Sequence, residues 1–259
     1  MIQIQHLSKV FKLNKKQQKE LKTKETTKKA VDNLSLTVND GEIFGLLGTN
    51  GAGKTTTLRC MATLLKPTEG QITVNGADTV KDSEKVRRTI GFLTNEIKMD
   101  PQFSADYMFS FFGRLREMTE EQISRRREEL FEYFGITEFK DKKIEELSSG
   151  MKQKVSIAVS LIHDPEIVIF DEPTTGLDII TAIAVIDYLQ KLKTEGKTIV
   201  ISTHIMSEAQ KLCDRIAIII DGRLVACGTL DMLLEETKAG DLEEAFFEYY
   251  KKHSQEAAG

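Results

Sequence analysis

The chain has 259 residues, 40% hydrophobic and 29% charged, with a formal net charge of −4. Those values fit a soluble globular protein with room for a sizeable core, and they argue against a general nucleic-acid binder, which would be strongly basic. Three scattered cysteines, Cys60, Cys213 and Cys227, form no CxxC pair, so neither a disulfide framework nor a zinc site is expected. The start, MIQIQHLSKVFK, lacks a signal-peptide apolar core, and no apolar run approaches a membrane span.

Residues 2–11, IQIQHLSKVF, roughly alternate apolar and polar and read as a half-buried strand. Residues 12–29 hold eight lysines and almost no apolar side chains. That composition predicts a mobile, solvated basic loop, with contact to anionic headgroups or an acidic partner as the sharper alternative. Residues 31–38, VDNLSLTV, read as the next strand.

Three short apolar runs then end in polar residues. Ile43–Leu47 leads into a glycine-rich loop, Ile167–Phe170 into Asp171 and Glu172, and Thr198–Ile201 into Ser202, Thr203 and His204. Continuous apolar runs of this length suit parallel strands buried on both faces. Ligands of such sheets bind beyond the strands' carboxyl ends, which predicts one shared crevice.

Residues 48–55, GTNGAGKT, fit G-x-x-x-x-G-K-[ST] between a strand and a helix expected from Lys54 through about Leu65. Gly48, Asn50, Gly51, Ala52 and Gly53, with Lys54, Thr55 and Thr56, would hold the phosphates of a ligand. Lys54 would reach the β- and γ-phosphates and the Thr55 hydroxyl would ligate Mg²⁺. Asp171, at the end of its run, suits an Mg²⁺-organising carboxylate. Glu172 suits the base that activates the attacking water, and His204 a γ-phosphate contact. Residues 147–154, LSSGMKQK, precede a helical pattern of Met151, Val155, Ala158, Val159 and Ile162. Ser148 is therefore expected at a helix N-terminus, where it would cap the helix and face an anion.

GTNGAGKT, LSSGMKQK, IVIFDEPTTGLD and STH occur in this order, and together they resemble the nucleotide-binding subunit of ABC transporters, over about residues 2–230. The resemblance implies an α/β P-loop NTPase (RecA-like) core with a mostly parallel sheet, an antiparallel β subdomain and an inserted α-helical subdomain. Residues 1–235 would form the nucleotide-binding domain, with the helical insert at about 96–150, and 236–259 a C-terminal helix and tail. The insert is aromatic-rich at its start, with Phe103, Tyr107, Phe109, Phe111 and Phe112. They would pack its core and also receive a short helix of a permease.

The resemblance further implies two copies stacked head to tail, with Ser148 and Gly150 of one covering ATP held by Lys54 of the other. Phe11 matches the position that stacks on adenine, Asp178 the loop aspartate at the dimer seam, and His204 the switch histidine. Ser149 and Met151 replace the usual glycine and glutamine of the signature. In IGFLTN, residues 90–95, Asn95 stands where a glutamine contacts Mg²⁺ and the catalytic water; it is one methylene shorter, and Glu96 beside it could serve instead. GTNGAGKTTT, LSSGMKQK, STHIMSEAQKLCDRIAIIIDGRLVACGT and LEEAF look closest to bacterial sodium-efflux ATP-binding subunits of the NatA type, with antibiotic and polyketide exporters related. That branch implies an ATPase at the cytoplasmic face of the membrane, an integral-membrane permease partner, an exported ion or small molecule, and no nucleic acid. The rival expectation is a soluble ABC-type ATPase of DNA or translation metabolism.

Overall fold

The computed structural model describes residues 1–20, 23–94 and 99–258. In chain order the elements are β1 (Ile2–Lys12), α1 (Lys15–Glu20), β2 (Thr27–Val38), β3 (Ile43–Leu47), α2 (Lys54–Met61), β4 (Glu69–Val74), β5 (Ala77–Asp78), α3 (Ser83–Thr89) and β6 (Ile90–Leu93). They continue as α4 (Ala105–Leu115), α5 (Glu120–Phe134), α6 (Ser149–Ser160), β7 (Ile167–Asp171), α7 (Ile179–Thr194), β8 (Thr198–Thr203), α8 (Met206–Leu212), β9 (Arg215–Ile220), β10 (Arg223–Gly228), α9 (Leu230–Thr237) and α10 (Leu242–Ala258). The chain divides into two compact units, residues 1–88 with 200–259, and residues 89–199.

The first unit carries an antiparallel sheet in the order β2-β1-β4-β5 and the strands β10-β9-β3-β8. β1 pairs with β2 through Ile2↔Val38, Ile4↔Leu36 and Leu7↔Leu34, all of them buried. β3 runs parallel to β9, and β10 returns antiparallel to β9. Leu47, Ile216, Ile218 and Ile220 of these strands share a core with Leu233 of α9 and with Leu242, Phe246 and Tyr249 of α10. The C-terminal helix is thus docked on its own unit by one apolar face, with Phe247 and Tyr250 exposed on the other.

The basic segment departs from the expected loop. β1 runs on to Lys12 and β2 begins at Thr27, pairing Phe11 with Lys28 and Lys12 with Thr27. Leu13 N–H donates to the Thr26 carbonyl at 2.8 Å, and α1 follows with no buried residue. A ladder already anchored in the core can extend outward without an apolar face of its own, because backbone pairs satisfy the main chain while lysines stay in water. Composition registers the missing core and is blind to that pairing.

In the second unit β6 and β7 pair in parallel, from Ile90↔Ile167 to Leu93↔Phe170. The Ser104 side chain caps α4, and a reciprocal Thr119–Gln122 capping box opens α5, which ends on left-handed Gly135. The aromatics of α4 divide by face. Phe109 is fully buried, edge-on to Phe131 at 4.9 Å. Phe103, Tyr107 and Phe111 form an exposed ladder with ring centroids 4.3 and 6.4 Å apart.

Candidate functional site: a phosphate loop and a signature helix

In the first unit, the fully buried strand β3 delivers the chain to Gly48. Two glycines carry the backbone that the loop needs. Gly53, the N-cap of α2, is left-handed at φ 105°, and Gly51 has φ 85°. A side chain at Gly48 would collide with the Ile219 carbonyl oxygen, and one at Gly53 with the Ala30 carbonyl oxygen. The loop is therefore pressed against β2 and β9 from behind. No side chain caps α2, and the positive end of its helix dipole faces the loop.

Lys54 is buried, and its ammonium donates to the Gly48 carbonyl at 2.7 Å and the Thr49 carbonyl at 3.1 Å. A cation enclosed by backbone at a helix N-terminus is a cradle for a polyphosphate. Thr55 and Thr56 follow, half-buried on the first turn, while Thr49 and Asn50 are exposed on the loop's outer edge and Ala52 is buried. α2 stops at Met61, short of the expected Leu65. Thr63 is left-handed at φ 64°, and the Leu64 and Leu65 N–H groups both turn back to the Arg59 carbonyl.

His204 follows β8 directly and is half-buried. The turn beyond it is fixed by the Thr203 hydroxyl, which accepts from Ile205 N–H at 3.0 Å and donates to the Glu208 carboxylate at 3.2 Å. Phe11 lies half-buried in β1, and the Lys9 ammonium sits 5.2 Å from its ring centre. Lys9 is anchored in turn on the Lys66 carbonyl at 2.7 Å. A ring braced in this way offers a π face for stacking.

In the second unit, β7 is buried throughout and ends on Asp171 itself. Glu172 comes next with φ 49°, a left-handed backbone that a non-glycine residue adopts at a cost. Its carboxylate accepts from the Thr175 hydroxyl at 3.2 Å.

Ser148 caps α6, its hydroxyl accepting from Met151 N–H at 3.3 Å. Gly150 sits on the first turn, and a Cβ placed there would lie 3.4 Å from the Asp178 carboxylate. The unit thus brings the signature turn and Asp178 onto one surface. Asp178 caps α7, accepting from Thr181 N–H at 3.0 Å and from the Thr181 hydroxyl at 2.8 Å. Those bonds, the backbone one foremost, hold its carboxyl below the usual range. Asn95 and Glu96 lie outside the described residues.

Two residues not singled out from the sequence complete this surface. Gln153 donates to the Pro173 carbonyl at 3.3 Å and ties α6 to the segment after Glu172. Thr181 fixes Asp178. The latter was readable as a cap, an aspartate with a hydroxyl residue three positions on. The former has no sequence signal, because its partner is a backbone carbonyl twenty residues away.

Among the described residues no helix is long and apolar enough to cross a membrane. The profile of the family described as ABC transporter matches residues 31–175. The ABC transporter ATP-binding protein NatA of Bacillus subtilis is 45% identical over 219 residues, 84% of this chain and 89% of the relative. The Nod factor export ATP-binding protein I of Cupriavidus metallidurans is 37% identical over 216 residues, 83% of this chain and 71% of the relative. A solved dimeric ATP-binding cassette, in a post-hydrolysis state bound to ADP and phosphate, superimposes with a TM-score of 0.77 at 28% identity, over 88% of this chain and 98% of that one. The chain belongs to the ABC transporter family as an ATP-binding subunit, with the P-loop NTPase fold of those cassettes.

Proposed function

We propose that the chain binds ATP in the loop between β3 and α2, hydrolyses it as a head-to-tail pair of identical copies, and drives export through a separate membrane permease. Lys54 carries this reading: a buried ammonium enclosed by its own loop at an uncapped helix N-terminus. The kinship with exporter subunits gives the direction of transport. By the NatA resemblance the first cargo to assay is sodium. In this reading the subunit works at the cytoplasmic face of the membrane.

Lys54 and the first-turn N–H groups of α2 hold the β- and γ-phosphates, and Phe11 stacks on adenine. Thr55 and Asp171, a hydroxyl and a carboxylate, are hard oxygen donors that suit Mg²⁺, with Asn95 as a third candidate. Bound there, the ion would neutralise phosphate charge. Glu172 takes the proton of the attacking water, and His204 contacts the γ-phosphate. Ser148 and Gly150 cover the nucleotide held by the second copy, with Asp178 at the seam. The shared surface of Gly150 and Asp178 supports that role. The exposed ladder of Phe103, Tyr107 and Phe111 is the surface for a permease helix, since apolar rings stacked in water await a partner.

The test is a pull-down of tagged chain from detergent-solubilised native membranes. A polytopic membrane protein in stoichiometric amount is expected, after which the pair is reconstituted for sodium and drug flux. Recovery of soluble partners alone would sink the exporter reading.

A further inference from the structure

The turn joining β9 and β10, Asp221–Gly222, forms the floor of the phosphate loop. Gly222 N–H donates to the Ala52 carbonyl at 3.0 Å, and its own carbonyl accepts from Asp32 N–H at 2.9 Å. Gly53 is packed so closely that an added Cβ would meet the Gly222 Cα at 3.4 Å as well as the Ala30 carbonyl. Gly48, at the loop's other end, is pressed on the Ile219 carbonyl. Both turn residues are left-handed, Asp221 at φ 48° and Gly222 at φ 81°. A turn so shaped and so crowded transmits a shift of its own to residues 48–53, because close-packed backbone has no slack to absorb it.

One side chain from far along the sequence reaches this turn. His253, on the last turns of α10, places Nε2 3.5 Å from the Asp221 carboxylate, with its own side chain 13% exposed and that of Asp221 83% exposed. α10 is itself seated by Leu242, Phe246 and Tyr249, and the Tyr249 hydroxyl donates to Glu236 of α9 at 2.8 Å. Asp32 braces the opposite side of the turn through Arg223 at 2.8 Å, and is itself paired with Lys29 at 2.9 Å. The turn is held between a salt-linked strand and a docked helix.

We infer that His253 is a positioning residue for nucleotide binding: through Asp221 and Gly222 the C-terminal helix fixes the back of the phosphate loop. Neither His253 nor Asp221 touches ATP. The inference rests on the reading that this loop holds ATP.

The test is equilibrium titration of the purified full chain with a fluorescent ATP analogue, alongside thermal unfolding without nucleotide. A partly exposed pair predicts a modest effect, so His253→Ala and Asp221→Gly should each weaken binding about 2–5-fold. The second variant keeps the left-handed turn and removes only the side chain. The double variant should be no weaker than either single, since both remove one contact. His253→Gln, which retains an N–H donor at similar reach, should bind within about 2-fold of wild type. The nucleotide-free midpoint should stay at the wild-type value in His253→Ala and His253→Gln and should not fall in Asp221→Gly, where glycine relieves the left-handed backbone, and steady-state hydrolysis should change in KM and not in kcat. Wild-type affinity in both single variants, multiplied losses in the double, or an affinity loss that tracks the midpoint in every variant would overturn the inference. Failure of the wild-type chain to bind the analogue would overturn the ATP reading as well.

Discussion

The loops after β3 and β7 begin alike and solve different problems. Both strands are five residues long and buried throughout. In the proposed site the backbone itself is the binding group after β3, and its positive-φ positions fall on Gly51 and Gly53. After β7 the proposed chemistry needs a side chain, and the left-handed position falls on Glu172. Glycine lets amides face a phosphate without a penalty, but it cannot supply a carboxylate. Where chemistry requires the side chain, the fold carries the strain instead.

Glu172→Gln keeps the strain and removes the base. Hydrolysis should fall about 10²–10⁴-fold with ATP binding retained, and ATP should trap a dimer on size exclusion. Undiminished turnover would strip Glu172 of its role. Glu172→Gly should be as inactive yet more stable by about 0.5–1 kcal/mol, since relief of the left-handed backbone outweighs the added entropy of the unfolded chain. A loss of stability there would mean the strain is not real.

The reciprocal change in the other loop should be costly to the fold. Gly53→Ala forces a Cβ against the Ala30 carbonyl at φ 105°, so about 2–4 kcal/mol of stability and most ATP binding should be lost. Chemical denaturation and nucleotide titration read the two effects. A well-tolerated alanine would show that the crowding is not needed.

The unit that carries β7 also holds a buried histidine that makes its stability depend on pH. His163 donates from Nε2 to the Ile90 carbonyl at 3.0 Å, its Nδ1 is buried with no hydrogen-bond partner, and burial pushes its pKa from 6.5 to about 4. The imidazole is neutral in the folded chain, while the unfolded chain takes up a proton below pH 6.5. Stability is therefore full above about pH 6.5 and falls as pH drops toward 4, by on the order of 2–3 kcal/mol. Unfolding of His163→Gln across that window should show a smaller slope than wild type; equal slopes would exclude His163 as the source.

Ser148→Ala should lower stability by about 1 kcal/mol through the lost cap. If the hydroxyl also meets nucleotide on the second copy, ATP-driven dimerisation should fall by far more than that. A proportionate change would leave Ser148 as a cap only.

Much of this was legible in the sequence. The strands ending at Leu47, Asp171 and Thr203 read as continuous apolar runs because both their faces are covered, so burial leaves its mark on every residue. The phosphate loop was legible because its glycines are demanded by the backbone. The helix start at Ser148 was legible because it follows from a local hydrogen bond between cap and first turn. Less visible were features whose cause lies elsewhere in the chain. α2 stops at Met61 as the chain turns away through Thr63, a residue with no preference for the left-handed conformation it takes. The division of the α4 aromatics into core and surface depended on where Phe131 arrives.

By itself the sequence determined the family of this protein and the patterns on which the proposed site rests: a glycine-rich loop after one buried strand, two carboxylates after another, and a serine-capped turn ahead of a helix. Each is a short-range pattern, specified by residues a few positions apart. Tertiary structure alone decided that the two ends of the lysine-rich segment pair with each other, that Glu172 bears a left-handed backbone, and that His253 reaches the turn beneath the phosphate loop. Those outcomes depend on contacts between distant segments, which cost loop-closure entropy and leave no local trace.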